Sequence, residues 1–111
     1  MNLPPHGAIL YGTRAFEDQV KDGTITTAIR PGRWGYEVGR RIVLASSSLN
    51  WAALGTITGV ATKRLDEVTD AEAQAAGRGT AVQVRLDVRY VWSSPEFALD
   101  DLVTVVEWEM D

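Results

Sequence analysis

The sequence predicts an α+β protein, a small mixed β-barrel of five to six strands with two or three short helices. Three observations carry that expectation. Short β-branched and apolar runs recur along the chain, separated by Gly, Pro, Ser and Asp turn signals. Residues 69–76 carry an alanine-rich pattern opened by Thr69 and Glu72, the two ends of a capping box. Residues 82–90 alternate apolar and polar side chains with the period of a strand. Closing such strands into a barrel would remove most exposed sheet edges.

In chain order, Pro4, Pro5 and Gly7 mark a loose lead-in, followed by a short strand over 8–11. Thr13 can cap a helix over 14–21, with Phe16 and Val20 on one face and Gly23 closing it. Residues 24–30 form the next strand, with Ile25, Thr27 and Ile29 on one side and Thr24, Thr26, Ala28 and Arg30 on the other. Pro31-Gly32 ends it and opens a loop holding Trp34 and Tyr36. A strand follows over 41–46, then the turn Ser46-Ser47-Ser48, then a strand over 54–62 with Gly55 and Gly59 as bulge or close-approach positions. The capped helix spans 70–76 and stops at Gly77. Thr80 and Gln83 resemble a second capping box. Yet Val82, Val84, Leu86, Val88 and Tyr90 would scatter around a helix, so the spacing predicts a strand over 82–92, antiparallel to 102–109. Residues 103–109 form the closing strand.

The length of 111 residues fits one domain, 1–111. With 45% hydrophobic and 23% charged residues the chain can build a core, which argues against disorder. The absence of cysteine excludes disulfides, thiolate metal sites and cysteine nucleophiles. The single histidine, His6, excludes multi-histidine metal sites, and a Ser-His-Asp triad would have to draw on that residue in the lead-in. No apolar run approaches the roughly 18 residues of a membrane span, and no basic-then-apolar leader opens the chain. The expectation is a soluble, cytoplasmic protein. No phosphate loop, dinucleotide fingerprint or metal-ligand spacing is present, so neither cofactor nor metal is expected.

The net charge of −4 excludes wholesale polyanion binding, but the charge is uneven. Residues 1–41 carry six basic and four acidic side chains, the remainder five basic and eleven acidic. Arg30 stands at the mouth of the 24–30 strand, where its fork suits a phosphate or a base edge. The plainer expectation is a salt bridge to Glu107 or Glu109. Lys21 and Arg33 flank the same opening and can hold phosphates, and Thr24 and Thr26 can donate to a base or phosphate. Trp34 can stack on an unpaired base, or cap the core instead, and Trp51 can form a second jaw.

Five motifs in order make the stretch from Val20 to Glu109 resemble the ASCH domain, a branch of the PUA-like β-barrels. GTITTAIR matches the family's GxKxxxxR at Gly23 and Arg30, and EVGRRIVL matches its glycine-led strand start at Val38 and Gly39. ALGTITGV, EVTDAEA and LVTVVEWE fill the later strand, helix and closing-strand motifs. The resemblance implies a PUA-like mixed barrel and, for most of the wider group, binding of RNA or of modified bases. Members resembling an amidohydrolase of acetylated cytidine act with a lysine, a threonine and a glutamate. Those positions fall at Ile25, Ala28 and Ala76, and none of these side chains can do that chemistry. The alternation over 82–92 departs from members that place a helix there and resembles a less studied sub-branch with a strand and the closing hairpin.

The leading expectation is therefore an RNA- or nucleotide-binding module with a cleft at the barrel mouth. One rival is a nucleoside amidohydrolase or ribonuclease with a substituted site, Lys21 standing in for the missing lysine. Another is a protein-interaction domain whose acidic C-terminal half meets a basic partner.

Overall fold

A computed structural model describes residues 5–11, 14–46, 52–88 and 98–110. Strand β1 (Pro5–Tyr11) leads into helix α1 (Arg14–Lys21), then strands β2 (Thr27–Pro31), β3 (Arg41–Ser46) and β4 (Ala52–Arg64). A 3-10 turn (Leu65–Glu67), helices α2 (Asp70–Ala75) and α3 (Ala81–Asp87) and strand β5 (Leu102–Met110) complete the described elements. The fold is α+β, as expected.

The described strands form one sheet in the order β1-β3-β4-β5-β2. β1 joins β3 in parallel, and the other three pairings, β3 with β4, β4 with β5 and β5 with β2, are antiparallel. β1 and β2 are the two edges, so the sheet is open and the expected closed barrel is not formed. β4 bulges between Ile57 and Gly59. A Cβ on Gly59 would stand 2.9 Å from the Glu107 carboxylate, and one on Gly55 2.9 Å from the Glu109 carbonyl. Both glycines are the close-approach positions that the sequence suggests.

Apolar clusters cover both faces. On one, Val20 of α1 packs with Ile25, Ala28, Ile42, Leu44, Ile57, Val106 and Trp108. On the other, Ile29, Val103 and Val105 pack against Leu65, Val68, Ala73, Ala76, Val84 and Val88. Successive residues of β5 thus serve opposite cores, which is why its sequence is apolar almost without break. The same double burial corrects the expected split of 24–30. The strand begins only at Thr27, so Ile25 joins the cluster of Ala28 while Ile29 faces the other way.

Helix α2 forms as its caps dictate. The Thr69 hydroxyl accepts from the Glu72 amide at 3.1 Å, and Glu72 Oε1 accepts from the Thr69 amide at 2.9 Å. Lys63 of β4 reaches Glu72 at 2.9 Å, and the Thr26 amide donates to the Ala75 carbonyl at 3.0 Å, tying α2 to the sheet. Burial pushes the Glu72 carboxyl up, but the Thr69 amide, Lys63 and the Thr69 hydroxyl outweigh it and hold the group below its ordinary value of 4.5. Stability from such a depressed group is present above its unfolded pKa and lost as pH falls through the folded one. Glu72→Gln is expected to cost about 1–3 kcal/mol at neutral pH, since it weakens charged hydrogen bonds at a cap. The gap from wild type should close as pH falls below 4.5, which thermal melts across that range would check.

Residues 81–87 are helix, not the predicted strand. Thr80 caps α3 by accepting from the Gln83 amide at 3.2 Å, and Asp70 accepts from the Ala81 amide at 2.8 Å. Val84 and Val88 are fully buried, whereas Val82 is 59% and Leu86 47% exposed. Two solvent-facing apolar side chains are tolerated because Ala81, Val84 and Val88 enter the core at helical spacing. A strand here had no place beside β5, whose two neighbours are already β4 and β2. The remainder of the predicted strand, 89–92, lies outside the described residues.

Candidate functional site at the end of β2

The last residues of β2 and the loop after them build the candidate site. Arg30 pairs in register with Thr104 of β5, which pairs in turn with Thr62 of β4. All three lie on the α1 face, two residues on from the row Ala28, Val106 and Val60. Pro31-Gly32 then turns the chain back over that face. Gly32 has φ +90, a conformation that favours glycine, and its amide donates to the Leu102 carbonyl at 2.8 Å.

Beyond the turn, the Trp34 amide donates to Thr104 Oγ1 at 3.0 Å, and the Thr104 hydroxyl donates to the Gly32 carbonyl at 2.8 Å. The indole Nε1 donates to the Pro31 carbonyl at 2.8 Å. With its polar edge so held, the indole leaves 43% of the residue's surface exposed. The Arg30 guanidinium carbon sits 4.9 Å from the Trp34 ring centroid. Tyr36 stacks on Trp34 with centroids 6.0 Å apart and planes inclined by 22°. It is Tyr36, not Trp34, that packs against the core. The loop rejoins the sheet where the Gly39 amide meets the Ile57 carbonyl and the Ile57 amide meets the Arg40 carbonyl, both at 2.8 Å.

Arg30 makes no ion pair among the described residues. Its expected partners Glu107 and Glu109 pair in register with Thr27 and Thr56, and alternation puts both on the opposite face of β5. The exposed Arg33 adds a second cation next to Trp34.

The other predicted residues do not join this group. Lys21 is exposed at the end of α1, Thr24 is exposed in the connection that follows, and Thr26 is half-buried just before β2. Four residues of extended chain separate Thr26 from Arg30, about 13 Å. Asp22 engages the Thr24 hydroxyl and accepts from the Thr24 amide at 2.8 Å, which holds the Asp22 carboxyl below its usual range. A carboxylate so close repels an anion, so Thr24 is poorly placed for phosphate. Trp51 lies outside the described residues. Thr104 and Tyr36 are the members that the sequence did not single out. Tyr36 had a signal, a second aromatic two residues past Trp34. Thr104 had none, because only strand register carries it to the loop.

Ile25 and Ala28 are buried in the α1-side cluster. Ala76 is buried in the other cluster. Trp108 lies beside Ile25 and Ala28, and its buried Nε1 has no partner among the described residues. Also among the described residues, no group of three or more potential ligands converges as a metal site, and no helix is long and apolar enough to cross a membrane.

The fold is similar to solved structures. A crystal structure of an ASCH domain from Lactobacillus crispatus JV V101 aligns over 97% of this chain and 80% of its own, with a TM-score of 0.75 and 15% identity. The protein EF3133 from Enterococcus faecalis V583, assigned to DUF984, aligns over 100% and 78%, with a TM-score of 0.73 and 15% identity. No family model and no curated protein matches the sequence.

Proposed function

From an ASCH-like fold with an arginine laid over an exposed tryptophan at one end of its sheet, we propose that the protein is a PUA-like module that binds RNA or a nucleotide at that place. The observation that carries the proposal is the state of Arg30. A half-buried guanidinium without a carboxylate partner among the described residues keeps its donors for a ligand. Arg33 supplies a second positive charge, and the indole a stacking surface.

Magnitudes suggest how a ligand enters. A cation–π contact at an exposed site contributes about 0.5–1 kcal/mol. A base stacked on an aromatic side chain contributes about 1–3 kcal/mol. An unpaired base can therefore take the indole from Arg30, which turns its fork to the adjoining phosphate. Two arginines beside Trp34 imply few released counterions and a shallow salt dependence.

Titration of a short fluorescent oligouridylate and of mononucleotides, at low and at moderate salt, tests the proposal. Weak binding with a shallow salt dependence is expected. No binding even at low salt would sink it and leave the interaction-domain alternative. Hydrolysis is not part of the proposal, because the three positions matched to the relatives' catalytic residues hold buried apolar side chains. No turnover of N4-acetylcytidine is expected by chromatography of the reaction. Turnover above an enzyme-free control, abolished by Lys21→Ala, would restore the hydrolase alternative.

A further inference from the structure

We propose that Thr104 is the positioning residue of this site: its buried hydroxyl sets the Gly32–Trp34 turn so that the indole stays exposed beneath Arg30. The inference rests on reading this end of the sheet as a ligand site. Thr104 is fully buried, and its one hydroxyl makes two bonds to the turn, donating to the Gly32 carbonyl and accepting from the Trp34 amide. A single atom of β5 thus places both ends of the segment that presents the indole. Arg30 is the register partner of the same residue, so cation and aromatic ring are referred to one point.

The role is separable from holding the loop down. The loop's ends are attached by backbone bonds that do not involve this hydroxyl, Gly32 to Leu102 on one side and Gly39 to Ile57 on the other. Trp34 Nε1 is held by the carbonyl of Pro31, the last residue of β2, which tethers the ring at one edge and leaves the course of the Gly32–Trp34 backbone to Thr104. Valine at 104 keeps the shape and β-branching of threonine but removes both bonds. The Gly32 carbonyl and the Trp34 amide would then turn to water, and the indole would sample positions away from Arg30.

The test compares wild type, Thr104→Val and Thr104→Ser by amide hydrogen exchange and by oligouridylate binding. The valine variant should exchange the Trp34 amide about fivefold to tenfold faster, the effect of losing one hydrogen bond, and serine should restore protection. The Ile57 amide, bonded to Arg40 in the same sheet, should not change. Oligouridylate affinity should fall by a similar factor in the valine variant and recover with serine. Unchanged Trp34 exchange overturns the inference, as does equal acceleration at Ile57, which would mean a general loss of stability. Faster exchange with unaltered oligouridylate affinity overturns it too. A wild type that does not bind oligouridylate removes the ligand site and with it the role, while the exchange data still report separately whether Thr104 holds Trp34.

Discussion

Replacing Arg30 by alanine is expected to weaken oligouridylate binding about tenfold to a hundredfold, the range of a charge-assisted hydrogen-bonded contact. The guanidinium has no competing carboxylate among the described residues, so little of its capacity is already spent. Loss of one phosphate contact should also flatten the plot of log affinity against log salt by about 0.7. Trp34→Ala should weaken binding by about 1–3 kcal/mol with the slope unchanged, because stacking releases no counterion. The two variants are thus distinguished by slope rather than by size of effect. Trp34 is largely exposed and Tyr36 provides the core contact, so both variants should melt close to wild type, which circular dichroism would check. If both bind as wild type does, the site is not at the end of β2.

Placing aspartate at Val84 is expected to cost at least about 3 kcal/mol, whereas aspartate at Val82 should change stability by no more than about 0.5 kcal/mol. Val84 is fully buried in the cluster that joins α3 to β5, and Val82 is 59% exposed on the first turn of the helix. Were 82–88 a strand, residues 82 and 84 would share a face and respond alike. Urea unfolding of the two variants separates the arrangements. Equal losses would reinstate the strand.

Those two valines show where local information ends. A strict alternation over 82–88 also contains two pairs spaced by four residues, Val84 with Val88 and Val82 with Leu86, so it is compatible with a helix that buries one pair and exposes the other. The capping signal at Thr80 and Gln83 was present in the sequence and was outweighed by the period-two pattern. The decision came from outside the segment, through Asp70 on the Ala81 amide and through β5 having both flanks occupied. The open sheet has the same origin. Strand propensity identifies strands, but whether β1 and β2 meet depends on how the whole sheet is ordered.

What the sequence determined by itself is whatever rests on neighbouring residues. The Thr69–Glu72 box placed α2, Gly23 marked the end of α1, and the β-branched runs located β3, β4 and β5 to within a few residues. The close-approach positions of Gly55 and Gly59 were equally legible. So was the closeness of Arg30, Arg33 and Trp34, because a single Pro-Gly turn links them. Only the tertiary structure showed that Lys21 ends α1 and that Thr24 lies in the connection after it, both outside the strand that carries Arg30. Only it brought Thr104 to the turn, because strand register, not chain proximity, makes a residue 70 positions away the partner of Trp34.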